Sequence, residues 1–449
     1  MAIVNYINLS GLEDEIRLDP QYYTPQNMLL EEEIMTFSTI LLGSVALITD
    51  GQHGYFKLDE NSEIRQITAK CIKEGLVDKA NADCLSQITH SKNMRSSLSV
   101  NDVLVTTAGT IGQIGLVTDD IPPANIDQDI GRISILKDNI SPYYVWAFLQ
   151  SKFGRFQIER FTTGQVQTHL SLKKMKKLRI PVISSHVEVE EIVKQFVASK
   201  AAAKDFIAKA QQLLDSELGL DRLHSDRLVG YTAQFSCCGH SLRFDSEHYS
   251  PVFDNMVSNL PNGVRLVPLG QLLNFCQRGK QPVYSESGLP VLNSKHVQEN
   301  RINFEGNRFA TAIPDLSLRI RFGDVLLNGT GRGTIGRSAP YLIKESQALP
   351  DNHVTILRSS SLDPAYLSLF LNSQAGQIQV EKHQRGSSGQ LELYPYDIRK
   401  FQIWDAPKKF QEEVRRMYDC AIDGIDQSKK LLLQAVSHVE HLIEGAARG

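Results

Sequence analysis

The chain repeats itself. Five blocks recur in the same order at an offset of about 222 to 227 residues. Such a repeat constrains the fold before any other signal, because each copy must be a unit that can bury a core of its own. "IRLDPQYYTP" (Ile16 to Pro25) matches "LRFDSEHYSP" (Leu242 to Pro251), and Leu42-Gly43 matches Leu269-Gly270. "QITAKCI" (Gln66 to Ile72) matches "VLNSKHV" (Val291 to Val297). "NDVLVTTAGTIGQIG" (Asn101 to Gly115) matches "GDVLLNGTGRGTIGRSA" (Gly323 to Ala339), and "SPYYVWAFLQS" (Ser141 to Ser151) matches "DPAYLSLFLNS" (Asp363 to Ser373). Chance gives one such match, hardly five in order.

Both halves end alike. A globular stretch closes at "KLRIPV" or "KFQIWDAP", and a long helical pattern follows, near 187–220 and 408–443. Its apolar stripe is Ile192, Phe196, Ala203, Ile207, Ala210 and Leu214 in the first copy. In the second it is Phe410, Val414, Met417, Ala421, Ile425, Leu432, Ala435, Val439 and Leu442. Gaps of three, four and seven are coiled-coil spacing, although one such helix alone could equally pack on its nearest domain. About 35 residues at 1.5 Å each make a helix of roughly 50 Å, long enough to overhang a domain of this size. Two equivalent helices then have each other as the simplest partner, packed antiparallel.

Short runs rich in Val, Ile and Thr fill each globe, among them "DVLVTT", "GRISIL", "DVLLN" and "HVTIL". One helix per globe stands out, "PYYVWAFLQSKFGRFQ" and "PAYLSLFLNSQAGQIQ", each opened by Ser or Asp before Pro. The fold class expected is mixed α/β (α+β), a tandem repeat of strand-rich domains with pseudo-twofold character and two long antiparallel coiled-coil helices. The boundaries expected are 1–184 for the first domain, 185–220 for the central helix, 221–240 for a linker, 241–405 for the second domain and 406–445 for the distal helix.

Composition removes several classes. Over 449 residues, 41% apolar and 22% charged describe a chain that folds throughout. Its longest apolar run, "TILLGSVALIT", is too short to span a bilayer, and the first residues lack a secretory signal's basic start. Six scattered cysteines form no C-x-x-C pair, so the expectation is a cytoplasmic protein with reduced thiols and no metal site. A net charge of −3 decides nothing about nucleic acid.

Gly331, Gly333 and Gly336 satisfy the G-x-G-x-x-G spacing of dinucleotide sites, but "RSAPYLI" follows where a helix is needed, and it reads as a strand. A tight β-turn is the better reading. No Pro-Pro-Tyr or Pro-Pro-Phe methyltransferase motif, H-E-x-x-H site, G-x-S-x-G elbow or nuclease acid-and-lysine set is present, so no catalytic residue is assigned.

The duplicated blocks "ITAKCI" and "LNSKHV", the paired glycine hairpins, and "DQDI" and "DNHV" resemble the target-recognition domains of type I restriction-modification specificity subunits. The likeness extends over nearly the full chain, tandem order included. It implies a non-catalytic subunit that reads an asymmetric split target in double-stranded DNA, one half-site per recognition domain. The two helices would set the spacing and dock two methyltransferase subunits, and a motor-nuclease subunit would complete the assembly. S-adenosylmethionine and ATP would belong to those partners, so no cofactor is expected here and no membrane is involved. The first copy departs from the second at Gln128-Asp129-Ile130, where the second has Asn352-His353-Val354. Two different half-sites require such divergence.

Base reading needs donors and acceptors at base edges, with cations on phosphates to hold register. Candidates in the first domain are Gln52, His53, Lys57, Lys70, Gln165, Gln167, His169, Lys173 and Lys174. In the second they are Arg278, Lys280, Lys295, His296, Arg332, Arg385 and Gln390. Apart from Lys173 and Lys174, these are expected on glycine-rich loops, where each taken singly is as readily a solvated side chain. Lys70 and Lys295 occupy equivalent positions and suit phosphate. The run Lys173 to Arg179 could follow the DNA backbone or form the outer face of a turn. Two rival readings remain: a tandem scaffold that binds protein or glycan, and an enzyme with its active site between the halves.

Overall fold

The computed structural model describes residues 20–447 apart from 53, 55, 81, 138, 163–167, 185, 223–229, 237–242, 313–315, 345–346 and 387–390. The chain divides into two compact units of mixed helix and strand, one from Met1–Ala201 with Gly424–Gly449, the other Ala202–Asp423. The linker cysteines Cys237 and Cys238 lie outside the described residues.

In the first unit a six-stranded sheet runs in the order Ala46–Asp50, Ile130–Ile135, Val103–Thr106, Ile114–Leu116, Leu76–Val77, Ile72–Lys73. Val103–Thr106 is buried along its whole length, which is why "VLVT" reads as a continuous run with no alternation. A smaller sheet of Asp83–Cys84, Arg65–Ile67 and Ala124–Ile126 stands beside it. In the second unit four antiparallel strands follow the order Phe275–Arg278, Val354–Arg358, Asp324–Asn328, Ser338–Tyr341. Val283–Ser285, Arg308–Ala312, Leu289–Leu292 and Leu349–Pro350 form its other four-stranded sheet. Each central hairpin strand is anchored by an ion pair at its start: Arg132 Nε lies 2.7 Å from Asp102, and Arg358 Nε lies 2.6 Å from Asp324.

The segment Ser338–Tyr341 after the glycine-rich turn is a strand in which Pro340 pairs with Val325. That excludes the helix a dinucleotide or P-loop site requires. The helix expected after Ser141 is two helices, Pro142–Gln150 and Lys152–Phe161, and its counterpart is likewise split into Pro364–Asn372 and Gln374–His383. Ser151 and Ser373 cause the break. Each closes one helix and caps the next, its hydroxyl accepting the amide of Gly154 or Gly376 at 3.4 Å.

The long helices span His186–Leu218 and Lys408–Ala447. In the first unit Val189, Val193 and Phe196 share a core with Leu431, Ala435, Val439 and Ile443. Phe196 stacks on Trp146 at 5.2 Å, and Trp146 Nε1 donates to the Gly75 carbonyl at 2.7 Å. In the second unit Ala210, Leu214 and Leu218 share a core with Val414. Ile192, Phe410, Met417, Leu432 and Leu442, read from spacing as seam positions, are only partly buried and pack against the edges of these cores. A helix that touches a domain as well as another helix buries a stripe wider than a two-position seam.

Candidate nucleic-acid interface

At one end of each central sheet, a strand end, an aspartate turn, the hairpin turn and the segment after the helix pair are tied together through the backbone. In the first unit the Gly51 amide donates to the Asp127 carbonyl (3.2 Å), Thr107 to Asp129 (2.8 Å) and Leu170 to Thr107 (3.0 Å). In the second unit Gly279 donates to Val354, Gly329 to His353 and Leu393 to Gly329, all at 2.8 Å. Gly51 and Gly279 are required here, because a Cβ would overlap the backbone carbonyl of Asp127 or Asp351. Asp127 Oδ1 accepts the Asp129 amide at 3.1 Å and Asp351 Oδ1 the His353 amide at 2.8 Å. Burial pushes the Asp127 carboxyl up to about 6 and raises Asp351 as well.

On this shared frame the side chains differ. In the second unit Arg278 Nε donates to the Asn352 carbonyl, and Nη1 lies 3.2 Å from Glu392 Oε2. The guanidinium is 5.8 Å from the Tyr394 ring centroid. Hydrogen bonds from Tyr394 and Arg278 hold Glu392 below the ordinary carboxylate value. His353 Nδ1 is 2.7 Å from Thr330 Oγ1. In the first unit the position of Arg278 is taken by Asp50, which is paired with Arg95, and the position of Glu392 by the exposed His169.

Of the other sequence candidates, Lys57, Lys70, Lys173, Lys280, Lys295 and Arg332 are exposed. Lys70 lies 3.9 Å from Asp83. Lys295 Nζ donates to the Gly306 carbonyl at 3.1 Å. Asn328 Nδ2 ties the Lys295 turn to the hairpin by donating to the carbonyls of Ser294 and Val297, each at 3.0 Å. Gln52 is half-buried and bridges to Asp127. Lys173 and half-buried Lys174 sit on the short helix Leu172–Met175, ahead of the edge strand Arg179–Pro181. His53, Gln165, Gln167 and Gln390 lie outside the described residues.

Two candidates are corrected. His296 is 1% exposed, and its Nδ1 accepts the Asn293 amide at 3.0 Å, so it shapes its turn from inside. Arg385 forms a bidentate pair with Asp397, which is 1% exposed, and so braces the loop base. Arg278 ends a strand, so it does not lie on a free loop. Arg95, Thr330, Glu392 and Tyr394 were missed. Glu392 lies outside the repeated blocks, and only the equivalent backbone bonds of Leu170 and Leu393 place it opposite His169. Among the described residues no group of three or more His, Cys, Asp or Glu side chains could hold a metal ion, and no helix is long and apolar enough to cross a membrane.

No family model matches the chain. Over 124 residues it is 32% identical to the specificity subunit of the type I restriction enzyme EcoBI from Escherichia coli, a match that covers 28% of this chain. The matched region is 26% of that relative's length, so this chain spans about a quarter of it. Among solved structures, the S subunit of a type I restriction-modification system from M. genitalium is similar at a TM-score of 0.42 and 12% identity, covering 91% of this chain and 96% of that one. A specificity subunit from Thermoanaerobacter tengcongensis is similar at a TM-score of 0.30 and 14% identity, covering 92% and 97%. In its tandem blocks and in the 124-residue match alike, the chain resembles the specificity subunits of type I restriction-modification enzymes.

Proposed function

We propose that this chain is the DNA-reading, non-catalytic subunit of a type I restriction-modification complex. One observation carries the reading. Two units hold the same backbone frame and arm it with different side chains, Asp50, Asp129 and His169 in one, Arg278, His353 and Glu392 in the other. A duplicated core that only stabilised itself would need no such divergence, whereas a reader of two unlike half-sites does. In this reading each unit takes one half-site of a split target. The long helices form an antiparallel coiled-coil spacer that sets the gap and docks methyltransferase subunits, two in number. A motor-nuclease subunit joins them, and S-adenosylmethionine and ATP are bound by those partners in the cytoplasm. The sequence match to a specificity subunit supports this assignment.

The test is adenine-methylation mapping by long-read sequencing of the source genome, with and without the gene. Loss of one motif made of two short half-sites around a fixed gap is the expected result. A methylation pattern that does not change would refute the proposal.

A further inference from the structure

We propose that Arg278 is the specificity-determining residue of the second unit and reads a guanine; the inference rests on the DNA-reading function proposed above. Arginine recognises guanine by presenting two N–H groups to N7 and O6, which demands that the guanidinium plane be fixed before contact. Arg278 meets that demand from three sides. Its backbone ends the strand Phe275–Arg278, and the next residue, Gly279, is so closely packed on Asp351 that a Cβ would not fit. Its Nε is anchored on the Asn352 carbonyl, and its Nη1 on Glu392 at 3.2 Å. The Tyr394 ring centroid lies 5.8 Å from the guanidinium carbon, within cation–π reach. Nη2 makes no bond to any described residue, and the side chain keeps 21% of its exposure. Rotamer entropy, which an arginine ordinarily loses on contact, has been lost in folding.

Glu392 acts through Arg278 as a positioning residue. The Tyr394 hydroxyl and Arg278 itself hold its carboxyl below the ordinary value, so it serves as the acceptor that aligns the guanidinium. The first unit offers a natural contrast. There Asp50, at the equivalent strand end and ahead of the equally confined Gly51, is an acceptor held by Arg95, so the same frame presents the opposite polarity.

The experiment replaces the gene in its source cells by Arg278→Ala, Arg278→Lys or Glu392→Gln and maps methylated motifs. The gene deletion is run first. If deletion changes no motif, the DNA-reading function itself fails. If deletion removes a split motif, Arg278→Ala is expected to relax one guanine·cytosine position of one half-site, roughly ten- to hundredfold in preference, with the other half-site intact. Glu392→Gln should relax the same position less. An unchanged motif in Arg278→Ala overturns the inference, as does a motif whose affected half-site has no guanine·cytosine pair. Should Arg278→Ala abolish all methylation, Arg278→Lys decides. Lysine keeps the charge and the Glu392 pair but not the fork. A lysine variant that methylates with the guanine position relaxed supports the inference. One that restores the original motif, or that is also inactive everywhere, overturns it.

Discussion

Arg385 grips Asp397 with two bonds, Nε to Oδ2 at 2.7 Å and Nη2 to Oδ1 at 3.1 Å. Asp397 is 1% exposed, and Lys400 Nζ adds a third bond at 3.0 Å. Burial pushes this carboxyl up, but the bonds from Arg385 and Lys400 outweigh burial and hold it below its ordinary value. A carboxyl with a depressed folded pKa stabilises the fold above its unfolded pKa and loses that contribution as pH falls. Arg385→Ala leaves a buried charge to Lys400 alone and should cost about 2–3 kcal/mol at pH 7. The cost should shrink only as pH falls below the unfolded carboxylate value near 4, which thermal melts at pH 7 and 3 would show. A penalty equal at both pH values would mean that Arg385 stabilises by packing.

Gly154 and Gly376 invert a general rule. In an exposed helix interior, Gly→Ala stabilises by about 1 kcal/mol. Here a Cβ at Gly154 would overlap the Phe148 carbonyl oxygen, and one at Gly376 would overlap that of Leu371. Both carbonyls belong to the preceding helix, so relief requires the two helices to part. Gly154→Ala and Gly376→Ala should each destabilise by about 2–3 kcal/mol in denaturant titration. Either variant gaining stability would show that the helix pairs are not locked at Ser151 and Ser373.

The same contacts explain what could be read in advance. Strands such as Val103–Thr106 and Asp324–Asn328 announce themselves by local composition, and Ser141 and Asp363 by their place before proline. The break at Ser151 was illegible because "FLQSKFGRF" continues a helical spacing across it; only the close approach of two helices at Gly154 reveals the corner. Burial of His296 and the partnership of Arg385 with Asp397 depend on tertiary contact, and no spacing rule reaches them. Among the long-helix positions, the stripe was visible, but its buried edge is chosen by neighbours such as Trp146.

Asp127 is the reverse of Asp397. Burial raises its carboxyl to about 6, despite the bond from the Asp129 amide. A raised carboxyl costs the fold stability as pH rises from near 4 through 6, because the unfolded chain gives up its proton first. Asp127→Asn keeps an acceptor for the Asp129 amide and cannot ionise. It should therefore stabilise the protein at pH 7.5 by about 1–2 kcal/mol and change little at pH 4.5, as measured by calorimetry. A loss of stability at pH 7.5 would show that the charge is needed, with Lys70, whose field favours the ionised form, as its partner.

Lys70 and Lys295 sit at equivalent exposed turns, one 3.9 Å from Asp83 and the other bonded to the Gly306 carbonyl. Exposed contacts of this kind are worth well under about 1 kcal/mol, so either lysine can exchange its protein partner for a phosphate at little cost. A phosphate contact carries no base information, and its loss is felt equally on every sequence. Lys70→Ala and Lys295→Ala should each weaken binding of the assembled complex about three- to tenfold, on the target and on unrelated duplex alike. Each should also lower the slope of log affinity against log salt by about one. Binding isotherms at several salt concentrations on both duplexes measure the two quantities together. A loss confined to the target, with the salt slope unchanged, would move that lysine from the backbone to a base edge.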